Sequence, residues 1–111
     1  MPINIFRDLP IDLQQEHSET LQADSGVRIE RIVSDGHYSP DGFWYDQTEH
    51  EWIVVLQGSA VIEFMDRPQK KMIPGDHCWI PAHQKHRVAS TSLTGMTIWL
   101  AVFVTPQKVE P

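Results

Sequence analysis

The chain can form no disulfide within itself, because Cys78 is its only cysteine, and the same count rules out a cysteine-based zinc knuckle. A basic face is missing too. Nine Lys and Arg stand against fifteen Asp and Glu, a formal charge of −6. That balance argues against nucleic acid and against an anionic membrane as partners. Long apolar runs are also absent: the longest, "MTIWLAVFV", is far shorter than the roughly 20 residues a membrane-spanning helix needs. The opening "MPINIFRDLP" has no basic segment leading into an apolar one, so no secretory signal is read there. A cytoplasmic protein is expected.

Helical periodicity is the last notable absence, since no segment after residue 27 carries it. What stands there instead is a series of short runs rich in Val, Ile, Trp, Phe and Thr. They read "VRIERIVS", "FWYDQ", "EWIVVLQ", "SAVIEFM", "HCWI", "HRVAST" and "MTIWLAVFV", separated by turn clusters such as "DGHYSPDG" and "DRPQKK". This pattern predicts an all-β sandwich or barrel. At 111 residues the chain makes one domain. Residues 1–26 are polar and read as an N-terminal arm, a short strand or helix packed on a barrel of residues 27–111.

Two strands are apolar on both faces. In "EWIVVLQ" one parity holds Glu51, Ile53 and Val55, and the other holds Trp52, Val54 and Leu56. "MTIWLAVFV" behaves the same way. A small barrel buries one face of each strand. Leaving the second face wet forgoes roughly 1.5–3 kcal/mol per large apolar side chain. The arm, a second chain or both should cover it, so a homodimer is expected. A mass of one chain, 12.8 kDa, in solution would contradict that.

Chemistry concentrates in two stretches. "EWIVVLQG" sets the carboxylate of Glu51 at the head of an apolar run that ends at Gly58. "PGDHCWIPAHQKH" runs from Gly75 to Pro81, six residues on, and to His86, five beyond that. Together they resemble the two motifs of the cupin superfamily, over about residues 27 to 104. The resemblance implies a double-stranded β-helix, a jelly-roll-like barrel, with Glu51 and His86 pointing into its mouth. The family's first motif also has two histidines before the glutamate. With three residues intervening, those places hold Tyr45 and Gln47; with four, they hold Trp44 and Asp46. The four-ligand metal set of the family therefore carries over only as Glu51 and His86.

A catalytic metal site typically needs three protein ligands and an open position. Gln47, Asp46, Tyr45 or the off-pattern His83 would have to complete the set. Such a nitrogen and oxygen set suits Zn, Fe(II), Mn or Ni without choosing among them. The alternative is a hydrogen-bonded Glu51–His86 pair in a metal-free pocket. His50 has the opposite parity to Glu51 and reads as a capping or solvated residue. His77 and Cys78 read as strand packing, and the four tryptophans as wall or interface. "YDQ", Tyr45 to Gln47, reads as a pocket floor able to orient a small polar ligand.

Three functions follow. One is a metal-dependent cupin enzyme acting on a small polar molecule by oxygenation, isomerisation or decarboxylation. Another is a metal-free acid/base isomerase, or a ligand sensor, using Glu51 and His86. The third is an interaction barrel whose site has decayed.

Overall fold

The structure, a computed structural model, describes residues 3–107. Eight strands follow one another: β1 (His17–Asp24), β2 (Val27–Ser34), β3 (His50–Gln57), β4 (Ala60–Phe64), β5 (Lys70–Met72), β6 (His77–Ile80), β7 (His86–Thr91) and β8 (Thr97–Val104). They form a five-stranded sheet in the order β1-β2-β8-β3-β6 and a three-stranded sheet in the order β5-β4-β7. All the ladders are antiparallel. The described residues contain no helix, so none is long and apolar enough to cross a membrane. The all-β reading holds.

Register turns the alternation in the sequence into two faces. Arg28, Phe103, Glu51 and Ile80 lie in one row across β2, β8, β3 and β6. Glu30, Ala101, Ile53 and Cys78 make the next row, and Ile32, Trp99 and Val55 a third. Ile53, Val55 and Trp99 pack against Ile62, Phe64 and Met72 of the small sheet as the core. The core therefore sits between the sheets, with the Glu51 row at its charged end.

The opposite face is only partly covered. Arg31 on β2 is 6% exposed and donates to the carbonyls of Ile5, Arg7 and Asp8, at 3.1, 2.7 and 3.2 Å. It also pairs with Glu19. The first residues are thus pinned to the outside of β2. Residues 17–24, expected within the arm, are a strand paired along the length of β2. Farther across the sheet, Ile29, Val102, Trp52 and Trp79 form an apolar row, and Trp79 remains 48% exposed. This is the face on which the expected homodimer would form.

The two glycines that frame the strands under the site do different work. Gly58 ends β3 at φ +85°, and a Cβ there would stand 2.7 Å from the Thr97 Cα and 2.9 Å from the Met96 carbonyl oxygen. Gly75 has φ +92°, but nothing lies within 4 Å of a Cβ placed on it. Its N–H bonds the Val55 carbonyl at 2.7 Å. Gly75→Ala should therefore cost only the backbone strain, about 1–2 kcal/mol. Gly58→Ala adds a clash with fixed backbone and should cost more than about 3 kcal/mol. Urea unfolding of the two variants measures the difference, and equal costs would contradict this account.

Candidate active site

Glu51 is the second residue of β3 and His86 opens β7, so each sheet contributes one side chain to the same barrel end. Both are 6% exposed. The His86 Nδ1 lies 2.8 Å from the Gln84 carbonyl oxygen. A carbonyl can only accept, so Nδ1 carries the proton and donates. That leaves Nε2 facing the Glu51 carboxylate, 3.6 Å from Oε1. With a neutral imidazole, two acceptors confront each other there. A donor or a cation bridging the two would make the contact favourable.

Tyr45 is tied to His86 through the backbone. Its N–H donates to the His86 carbonyl at 2.7 Å, and the His86 N–H returns a 3.2 Å bond to Tyr45. The phenol ring stacks on the imidazole, with centroids 5.4 Å apart. Burial, with Glu16 and Glu51 adding to it, pushes the Tyr45 hydroxyl above its ordinary value. At neutral pH it is a donor. Two residues on, Gln47 lines the same pocket, and its side-chain oxygen is buried without a hydrogen-bond partner. Trp99 lines the pocket floor, and its indole N–H is likewise buried and unpartnered.

The pocket encloses about 170 Å³ and has apolar walls that include Ile53, Ile62 and Val88. Four polar lining residues escape the sequence reading: Glu16, Ser18, Arg28 and Glu30. Glu16 precedes β1 and accepts a 2.9 Å bond from the hydroxyl of Ser34, which is fully buried. Arg28 and Glu30 lie at the mouth, joined by a 2.7 Å ion pair. Arg28 also holds Glu49 at 3.0 Å and covers the Phe103 ring at 4.3 Å. In "VRIERIVS" both parities carry charge, so alternation alone does not say which face turns inward. For Glu16 the only usable signal is an acid just outside a strand.

Two expected residues lie elsewhere. Asp46 points away from the pocket to His83, with Oδ1 2.8 Å from Nδ1, and both side chains are largely exposed. Neither is among the residues lining the pocket. The physical reason for His83 is backbone: it sits at φ 65°, in a loop that turns its ring outward. This is the position where the resembled family has glycine, which takes that conformation without strain. His50 accepts a 2.9 Å bond from the Ala82 N–H and lies against Trp79, so it anchors this loop. Among the described residues no three His, Cys, Asp or Glu side chains group to hold a metal ion.

Comparison with known proteins fits this geometry. A family model described as "Cupin domain" matches residues 32–103. No curated protein matches the sequence. A crystal structure of a candidate mannose-6-phosphate isomerase from Ralstonia eutropha JMP134 is 42% identical, with a TM-score of 0.91, covering 96% of this chain and 99% of that one. A cupin superfamily protein from Desulfitobacterium hafniense DCB-2 is 23% identical, with a TM-score of 0.71 and coverages of 88% and 84%. An RmlC-like cupin with a double-stranded β-helix fold from Methanocaldococcus jannaschii is 15% identical, with a TM-score of 0.67 and coverages of 88% and 87%. The last two show the fold alone.

Glu16 makes the pocket's electrostatics measurable. Burial pushes its carboxyl above the ordinary value; the Ser34 hydrogen bond and His37 pull it back, and the Glu51 charge raises it again. A carboxyl raised on folding stabilises fully below its unfolded value of about 4.3, and that contribution is lost as pH rises through the folded value. Glu16→Gln keeps an acceptor for Ser34 and removes the loss. Its melting temperature should exceed that of the unsubstituted protein at pH 7.5, and the gap should shrink at pH 4. A gap independent of pH would contradict the assignment.

Proposed function

The chain belongs to the cupin family, and on that footing we propose that its barrel mouth binds a small polar molecule and moves a proton on it. The observation that carries this is the Glu51–His86 pair, buried, 3.6 Å apart and fixed in tautomer by the Gln84 carbonyl. A carboxylate and an imidazole so placed can take a proton from one carbon and return it to a neighbour. The Tyr45 hydroxyl, kept protonated, is the donor for an oxygen that gains charge during that transfer. The apolar walls keep water from competing. The relative from Ralstonia eutropha, described as a candidate mannose-6-phosphate isomerase, supports a hydrogen shift beside a carbonyl as the reaction class.

The residues also fit a divalent cation, loosely held. His86 Nε2 and Glu51 would bind it, with the unpartnered Gln47 oxygen as the third donor. Two ligands on a tetrahedral ion, each about 2.0–2.1 Å away, stand roughly 3.3–3.4 Å apart, close to the 3.6 Å seen here. A neutral amide in place of an imidazole makes the site weak, and it does not choose among Zn, Fe, Mn and Ni. Such an ion, when bound, polarises the substrate oxygen it touches.

Binding without turnover is the competing reading, and isotope exchange separates the two. The protein is incubated with D-mannose in deuterated water, with and without added Zn²⁺ or Mn²⁺, and followed by NMR. Deuterium should enter at the carbon beside the carbonyl, and Glu51→Gln or His86→Gln should slow this by about 100-fold or more. No exchange in the unsubstituted protein, or equal exchange in the variants, would leave only a binding site.

A further inference from the structure

The charges around the pocket say what kind of molecule can enter it. Glu16, Glu30 and Glu51 line it, against one guanidinium, that of Arg28. Arg28 is paired with two carboxylates: Nε holds Glu30 at 2.7 Å, and one terminal nitrogen reaches both Glu49 oxygens at 3.0 and 3.1 Å. Among the described residues no lysine lines the pocket. Arg31, Arg67 and Arg87, near the barrel, do not line the pocket, and Arg67 lies over the Phe64 ring at 3.9 Å. Arg31 faces the carbonyls of residues 5–8, and Arg87 holds Glu63 at 2.9 Å and the Ser39 carbonyl at 2.8 Å. Among the described residues lining the pocket, His86, next to Glu51, is the one side chain besides Arg28 able to offer positive charge.

We propose that the pocket selects uncharged, hydrogen-bonding molecules over anions, sugar phosphates included, and that Glu16 is the residue that sets this selectivity. This deepens the proton-transfer reading and rests on the barrel mouth being the ligand site. Glu16 is held for the role. Ser34 fixes one of its carboxyl oxygens at 2.9 Å, leaving the other free toward the cavity that Glu51 shares. An entering phosphate would meet two carboxylates, while the one guanidinium there is already balanced by Glu30 and Glu49, and like charges in a partly dehydrated site cost several-fold more than in water. A neutral hydroxyl or amide meets no such penalty. It can satisfy the two polar atoms left without partners, giving an acceptor to the Trp99 N–H and a donor to the Gln47 oxygen. Glu16 is thus a specificity-determining residue supplied by the segment before β1.

A neutral and an anionic probe of equal shape test the filter without assuming a substrate. Acetamide and acetate are titrated into the full chain, freed of metal by a chelator, while the indole N–H signal of Trp99 is followed by NMR and assigned with Trp99→Phe. Acetate should bind about tenfold more weakly than acetamide, and Glu16→Gln should narrow that ratio by at least about threefold. D-mannose and D-mannose 6-phosphate, titrated in the same way, should show the same preference. Equal or tighter acetate binding overturns the filter whatever the sugars do, as does a ratio unchanged by Glu16→Gln. Silence of the Trp99 signal to both small probes overturns it too, since the pocket would then admit neither. If acetamide is preferred but neither sugar binds, the filter stands and the sugar-like substrate falls.

Discussion

One hydrogen bond organises the site: the 2.8 Å contact between His86 Nδ1 and the Gln84 carbonyl. It spends one ring nitrogen on the loop between β6 and β7 and thereby aims the other at Glu51. Neighbouring bonds make the loop a rigid support. The His83 N–H donates to the Gln47 carbonyl at 2.8 Å, and His50 receives the Ala82 N–H. Tyr45 and His86 exchange backbone bonds as an isolated bridge. Tyr45, Gln47, Glu51 and His86 therefore come from three chain segments but are held as one unit. Such pre-organisation is what a proton-transfer site needs, since geometry misplaced by an ångström costs orders of magnitude in rate.

The same arrangement places stress on the fold. Glu51 is buried in a row otherwise made of Phe103, Ile80 and the stem of Arg28, where an apolar side chain of similar size would pack at no desolvation cost. His83 adopts a left-handed backbone that glycine would take freely. Gln47 and Trp99 keep buried polar atoms without partners. These departures lie at or beside the pocket, while the Ile53, Val55, Ile62 and Met72 core is regular. Others lie outside it: Asp8 and Asp12 are also left-handed, and Arg31 and Arg87 also keep buried unpartnered atoms.

Much of this was legible in the chain. Alternation grouped Glu51 with Ile53 and Val55, and the likeness to the two cupin motifs implied that Glu51 and His86 both point into the barrel mouth. Those motifs are short and local in the chain. Whether Asp46 and His83 face the pocket stayed open from sequence, because loop side chains follow no parity. Glu16 was invisible for a different reason. It reaches the pocket through β1–β2 pairing, in which His17 opposes Val33 and so brings Glu16 to Ser34. Sheet register between distant segments is a property of the packed whole, and no local pattern encodes it.

The account turns on which nitrogen of His86 faces Glu51. Long-range nitrogen–proton NMR correlation on labelled protein, at a pH high enough for a neutral imidazole, reads the tautomer directly. The account predicts Nδ1–H, with Nε2 unprotonated, and the same tautomer after Glu51→Gln because the lock is the Gln84 carbonyl. Finding Nε2–H in the unsubstituted protein would contradict it.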